Sequence, residues 1–157
     1  MTARHTHTCP VAATLNVIGD HWTMLILREA FYGACKFSEI QRNTGIARNL
    51  LSARLTHLVG EGVLEKTSGS RPLYHLTKRG RALRPVLVAM TQWGNDHLYG
   101  AGNEPVALLD AVSGEKLAPA VYQTTSGQPV RPEDIRARPG PGASDATRRR
   151  LERAKQC

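Results

Sequence analysis

Arg48, Asn49 and Ser52 bring three hydrogen-bonding side chains to the start of a segment whose apolar residues, Leu51, Leu55, Leu58 and Val59, recur at helical spacing. An arginine can donate two parallel hydrogen bonds to guanine, and an asparagine can exchange two with adenine. A helix showing both outward therefore suits base edges in a major groove. Thr56 lies further along the same outward side. Arg54 has two readings: a contact to nucleic acid, or a brace to an acid or carbonyl inside the domain. Arg71 stands in the turn Ser68-Gly69-Ser70-Arg71-Pro72, where a projecting guanidinium suits a minor groove or a phosphate. Lys36, Ser38, Gln41 and Lys78 are residue types that bond phosphate oxygens without reading sequence. Lys78, with Arg79 and Arg81, equally suits a solvated helix face.

The surrounding charge favours a polyanion. The 157-residue chain has 21 Lys+Arg and 13 Asp+Glu, a net charge of +8. No carboxylate stands between Glu39 and Glu61, where Arg42, Arg48 and Arg54 lie. None stands between Glu65 and Asp96, where six cations crowd together. A solvated surface usually mixes signs, so two acid-free basic stretches suggest a face built for phosphates. Aromatics make up only 5% of the chain, which disfavours a platform for stacking unpaired bases. Catalysis needs a nucleophile with a base, paired carboxylates or a metal site, and none of these patterns occurs, nor does a Gly-rich phosphate loop. No apolar run approaches a membrane span, and residues 1–10 lack a signal-peptide core, so a cytoplasmic location without membrane is expected.

Cys9, Cys35 and Cys157 are odd in number and widely spaced, which argues against a disulfide framework. Cys9 precedes Pro10 at a helix start, where amide dipoles can lower a thiol pKa, so it is the redox-sensing candidate. Its alternative reading is a small packing residue at a dimer interface. His5, His7 and Cys9 alternate, but on an extended arm they make a poor tetrahedral site without a fourth ligand. No metal or other cofactor is expected.

These residues need elements to position them. Helices are predicted over 10–18 and 21–31, with Asp20 capping the second. Ser38 and Gln41 have capping-box spacing, which predicts a third helix starting at Ser38. Gly45 makes a turn, and a fourth helix runs over 48–59. Residues 63–67 and 73–76 read as a hairpin. Thr77 then caps one long helix to about residue 97, bent at Pro85. Beyond 103, segments 106–111 and 120–123 are predicted strands, and 145–155 is a short helix or disorder. The domains expected are a flexible arm (1–8), a winged helix-turn-helix for DNA binding and dimerisation (9–102), a small β appendage (103–142) and an Arg-rich tail (143–157). The fold class is mainly α with a small β-hairpin wing, plus a β-containing C-terminal appendage.

Residues 9–98 resemble the HxlR-type branch of the MarR-like regulators. The resemblance rests on Cys9-Pro10, Ile18-Gly19-Asp20 with His21-Trp22, Phe37-Ser38-Glu39-Ile40, Leu51-Ser52 with Arg54-Leu55, Leu58, Gly62, Leu76-Thr77 with Gly80, and Trp93-Gly94. It implies a homodimer formed by the first and last helices of the winged domain. It also implies a double-stranded, pseudo-palindromic DNA operator, often bound as a repressor, and a small-molecule or oxidant/electrophile effector. Some members sense oxidants through a cysteine at the place of Cys9, while many carry the same Cys-Pro with no shown redox role. The family commonly has Ser or Thr where Ala47 stands, so the recognition helix lacks its usual cap; Thr44 or a phosphate is the substitute to look for. Residues 104–142 resemble an appendage in which two Cys-Gly knuckles suggest a zinc ribbon. Here Ser113-Gly114 and Ser126-Gly127 stand in those places, and serine does not replace thiolate, so the small β unit is expected to persist without metal. The alternative function is a winged module for protein contact or nonspecific chromosome binding, which would show no preference beyond charge.

Overall fold

The computed structural model describes residues 8–153, so His5, His7 and Cys157 lie outside the described residues. The chain divides into two compact units: residues 17–117, and the N-terminal stretch up to Asn16 together with Ala118 onward.

The order helix, helix, turn, helix, hairpin, helix follows from local sequence. Helix α1 (Pro10–Ile18) opens on a proline, whose fixed φ suits a first helical position. Asp20 caps α2 (His21–Phe31) by accepting the Thr23 amide at 3.0 Å. Helix α3 (Phe37–Thr44) stops at Gly45, whose φ of 71° is the left-handed conformation a glycine adopts without steric cost. Helix α4 (Arg48–Gly60) buries Leu51, Leu55 and Leu58, spaced four and three residues apart, so one stripe faces inward. With Ile26 and Leu27 of α2, Ile40 of α3, and Ile46, Val63 and Leu64, they form a core in which each side chain is almost fully removed from water. Burial of one such side chain is worth about 1.5–3 kcal/mol. The core holds α4 against α2 and leaves the opposite side of α4 in solvent.

The wing is β1 (Leu64–Lys66) paired antiparallel with β2 (Tyr74–Leu76), Glu65 opposite His75. An isolated bridge joins Lys36 to Leu73, and the Tyr74 amide donates to the Cys35 carbonyl at 2.8 Å, so the segment before α3 lies along the wing. Thr77 caps α5 (Lys78–Arg81) through the Gly80 amide, and its hydroxyl donates to the Gly62 carbonyl at 2.7 Å. A Cβ on Gly80 would sit 2.1 Å from the Val63 carbonyl oxygen, so the wing base can approach α5 only because this residue is glycine.

Two expectations need correction. The helix expected to start at Ser38 starts at Phe37, with Lys36 as an N-cap that makes no side-chain bond. Ser38 is therefore inside the first turn, and Gln41 donates instead to the Ile46 carbonyl at 3.5 Å. The single long helix after Thr77 is broken into α5, α6 (Arg84–Gly94) and a π-helical turn at Asn95–Tyr99. Pro85 lacks an N–H and disfavours a helical residue before it, so it begins a new helix rather than bending an old one. Of the segment 106–111, only Leu109 pairs, in an isolated bridge to Lys116.

In the other unit, β3 (Tyr122–Gln123) pairs antiparallel with β4 (Pro129–Val130), and α7 spans Asp145–Arg153. Thr8 Oγ1 lies 2.6 Å from Ser144 Oγ and 2.7 Å from Thr147 Oγ1, which fastens the residues before α1 to the start of α7.

Candidate nucleic-acid interface

Asn49, Ser52 and Thr56 are exposed on α4 at positions that share one helical face, three and seven residues apart. Arg48 is exposed too but turns toward α3, with its guanidinium 5.2 Å from the centre of the Phe37 ring. That stack orders a side chain which otherwise has many rotamers. Arg48 thereby joins Lys36, Ser38 and Arg71 around an open cleft of about 580 Å³ between α3, α4 and the wing. Three cations and a hydroxyl line it, and no acidic side chain does. The correction at Ser38 matters here, because a hydroxyl not engaged in capping can donate outward.

Ala47 precedes α4 in an extended conformation and supplies no side-chain cap. Thr44 does not replace it: its hydroxyl donates to the Ile40 carbonyl at 2.7 Å and accepts the Ile46 amide at 3.4 Å. The first-turn amides of α4 thus have no side-chain acceptor from Ala47 or Thr44, an arrangement favourable to an anion.

The remaining candidates separate. Arg54 Nε lies 2.7 Å from Asp20 Oδ2, in an ion pair with side-chain exposures of 30% and 23%. Nε is buried and makes no hydrogen bond of its own, so the contact is one of charge. Gln41 is only half-exposed, and its amide serves the turn. Lys78 and Arg79 are exposed on α5, whereas Arg81 donates to the Leu76 carbonyl at 2.6 Å and belongs to the wing base.

Sequence reasoning missed three residues that shape the site: Phe37, Glu29 and Asn43. Glu29 is 6% exposed. Its Oε1 accepts from Arg28 Nε at 3.0 Å and Nη2 at 2.7 Å, and its Oε2 accepts from Asn43 Nδ2 at 2.8 Å. This carboxylate ties α2 to the end of α3, next to the turn that sets α4. The available signal was a lone carboxylate inside the apolar run Leu25-Ile26-Leu27-Arg28-Glu29-Ala30.

The α1 amides, that of Ala12 above all, and then the Arg150 guanidinium hold the Cys9 thiol below its ordinary pKa. Ser113 Oγ donates to Asp110 Oδ2 at 2.8 Å, and Ser126 Oγ lies 2.9 Å from Thr124 Oγ1, so both serines complete their own turns. Among the described residues, no group of three or more His, Cys, Asp or Glu could hold a metal, and no helix is long and apolar enough to cross a membrane.

This geometry has relatives. The HxlR-like helix-turn-helix family matches residues 17–101. An uncharacterized HTH-type transcriptional regulator of Mycobacterium tuberculosis is 37% identical over 136 residues, covering 84% of this chain and 86% of that one. The crystal structure of PA1607, described as a candidate transcription factor, is 42% identical with a TM-score of 0.78, over 86% of this chain and 97% of that one. The oxidized form of the redox regulator HypR is 31% identical with a TM-score of 0.51, over 55% of this chain and 94% of its own. The chain therefore belongs to the HxlR-like helix-turn-helix family of DNA-binding transcriptional regulators.

Proposed function

We propose that this regulator binds a pseudo-palindromic operator as a homodimer and represses the adjacent genes, acting in the cytoplasm and without catalysis. The observation that carries the reading is the acid-free cleft of Lys36, Ser38, Arg48 and Arg71 beside the exposed Asn49–Ser52–Thr56 face. Cations around a cleft suit two phosphates of one strand, and a neutral polar face suits base edges. In this arrangement Arg48 contacts backbone, Asn49 and Ser52 read bases, and Lys78 adds a phosphate contact. Arg54 braces α4 rather than touching DNA.

Dimerisation is supported by α6, where Val86, Met90 and Trp93 form a stripe 41%, 52% and 58% exposed. Apolar side chains at spacings of four and three residues suit burial against a second helix. Light scattering should give twice the 17.2 kDa chain mass. The effector is a small molecule or an oxidant/electrophile, and Cys9, its thiol favoured as thiolate, is the residue an electrophile would meet.

Selection of bound duplexes from a random pool, followed by a gel shift against scrambled competitor, tests the reading. The expected product is a two-fold symmetric site with half-sites about 10 base pairs apart, bound at least a thousandfold tighter than scrambled duplex. Binding that depends on charge alone, with no enriched sequence, would mean nonspecific chromosome binding instead.

A further inference from the structure

A second cleft lies between the end of α2 and α6. Its volume is about 90 Å³ and it is open on one side. Phe31, Leu87, Val88 and Leu108 give it apolar walls, and Arg28 and Arg84 bring guanidinium groups to it. The Arg84 guanidinium is 5.7 Å from the centre of the Phe31 ring. No carboxylate among the described residues pairs with Arg84, and no acidic side chain lines the cleft.

We propose that this cleft is an effector site for a small aromatic monocarboxylate. The chemistry narrows the class. A planar carboxylate can take two parallel hydrogen bonds from Arg84, while a single ring fills the apolar space behind it. A neutral hydrocarbon would displace water from the guanidinium without replacing its hydrogen bonds. A dianion would bring a second charge against Leu87, Val88 and Leu108.

The cleft is wired to the DNA-facing elements, and this part of the inference rests on the operator reading above. Arg28 borders the cleft and is also the partner of Glu29, whose other oxygen holds Asn43 at the end of α3. A ligand carboxylate at the cleft competes with Glu29 for Arg28. Glu29 then re-bonds, its hold on Asn43 changes, and the turn that sets α4 shifts. Ligand and operator thus favour different arrangements of one hydrogen-bonded chain, which is what coupling between two sites requires.

The probe is benzoate, with benzamide as the uncharged isostere, titrated calorimetrically into the full chain without DNA. Benzoate should bind, and benzamide should bind at least about tenfold more weakly, as loss of a charge-assisted pair predicts. Arg84→Gln should weaken benzoate by about tenfold while leaving the melting temperature of the free protein unchanged, since Arg84 is exposed. Absence of benzoate binding at millimolar concentration, or equal binding by wild type and Arg84→Gln, overturns the site. On the selected duplex, saturating benzoate should weaken wild-type binding and leave Arg84→Gln unaffected. If benzoate binds and the duplex affinity does not move, the coupling is overturned. If benzoate binds and no duplex is preferred at all, the operator reading falls while the site stands.

Discussion

Asp20 joins two jobs that a single substitution separates from DNA contact. One oxygen accepts the Thr23 amide at 3.0 Å, and the other lies 3.0 Å from Thr23 Oγ1 and 2.7 Å from Arg54 Nε. Asp20→Ala removes an N-cap, worth about 1 kcal/mol. It also leaves the Thr23 hydroxyl, in a residue only 1% exposed, without its acceptor, at about 1 kcal/mol or more. The ion pair, with partners 30% and 23% exposed, adds about 0.5–1 kcal/mol. The total is about 3 kcal/mol, a fall in melting temperature on the order of 10–20 °C for a unit of this size. Arg54→Ala should cost only about 1 kcal/mol, because Asp20 keeps its cap. In a double-mutant cycle by urea unfolding, the two should couple by about 0.5–1 kcal/mol. Duplex affinity measured well below the melting point should change little in Arg54→Ala. If Arg54→Ala leaves unfolding untouched and cuts duplex affinity instead, Arg54 is a DNA contact and the brace is wrong.

Gly80→Ala places a methyl 2.1 Å from the Val63 carbonyl oxygen and should destabilise the fold by about 1–3 kcal/mol in a thermal melt; an unchanged melt would mean the wing base yields freely. Ala47→Ser should stabilise by about 1 kcal/mol, because the extended residue before α4 lacks only a side-chain acceptor; no gain would mean those amides are already satisfied. Cys9 should react with iodoacetamide at lower pH than an ordinary thiol, because a lowered pKa keeps the reactive thiolate present as pH falls. Arg150→Gln removes one group that favours the thiolate, so the midpoint of the Cys9 rate profile should rise; a midpoint that stays put removes Arg150 from the account.

The elements legible in the sequence were those set by short-range rules. The apolar spacing of Leu51, Leu55 and Leu58, the Asp20 cap and the Gly45 turn fix helices that the structure contains as read. What escaped depends on partners distant in sequence. Ser38 and Gln41 have capping-box spacing, yet the pairing of Lys36 with Leu73 makes Lys36 the cap and moves the helix start one residue earlier. Pro85 announced a bend, but whether a helix bends or restarts depends on packing around Leu83 and Leu87, which local sequence does not carry. Arg54 could reach DNA or an acid, and only the fold brings Asp20 beside it. Arg48 and Asn49 are adjacent and looked alike as base readers. The Phe37 ring separates them by drawing Arg48 into the cleft.

The division of labour between the cleft and the outward face of α4 is tested most directly by the salt dependence of duplex affinity. Wild type, Arg71→Ala and Asn49→Ala would each be measured by fluorescence anisotropy on the selected duplex and on a scrambled one. If Arg71 contacts one phosphate in each protomer of a dimer, its loss lowers the slope of log affinity against log salt by about 1.8 and weakens both duplexes alike. Asn49→Ala should keep the wild-type slope and cost about 1–3 kcal/mol on the selected duplex alone. Equal losses on both duplexes for Asn49→Ala, or an unchanged slope for Arg71→Ala, would contradict the account.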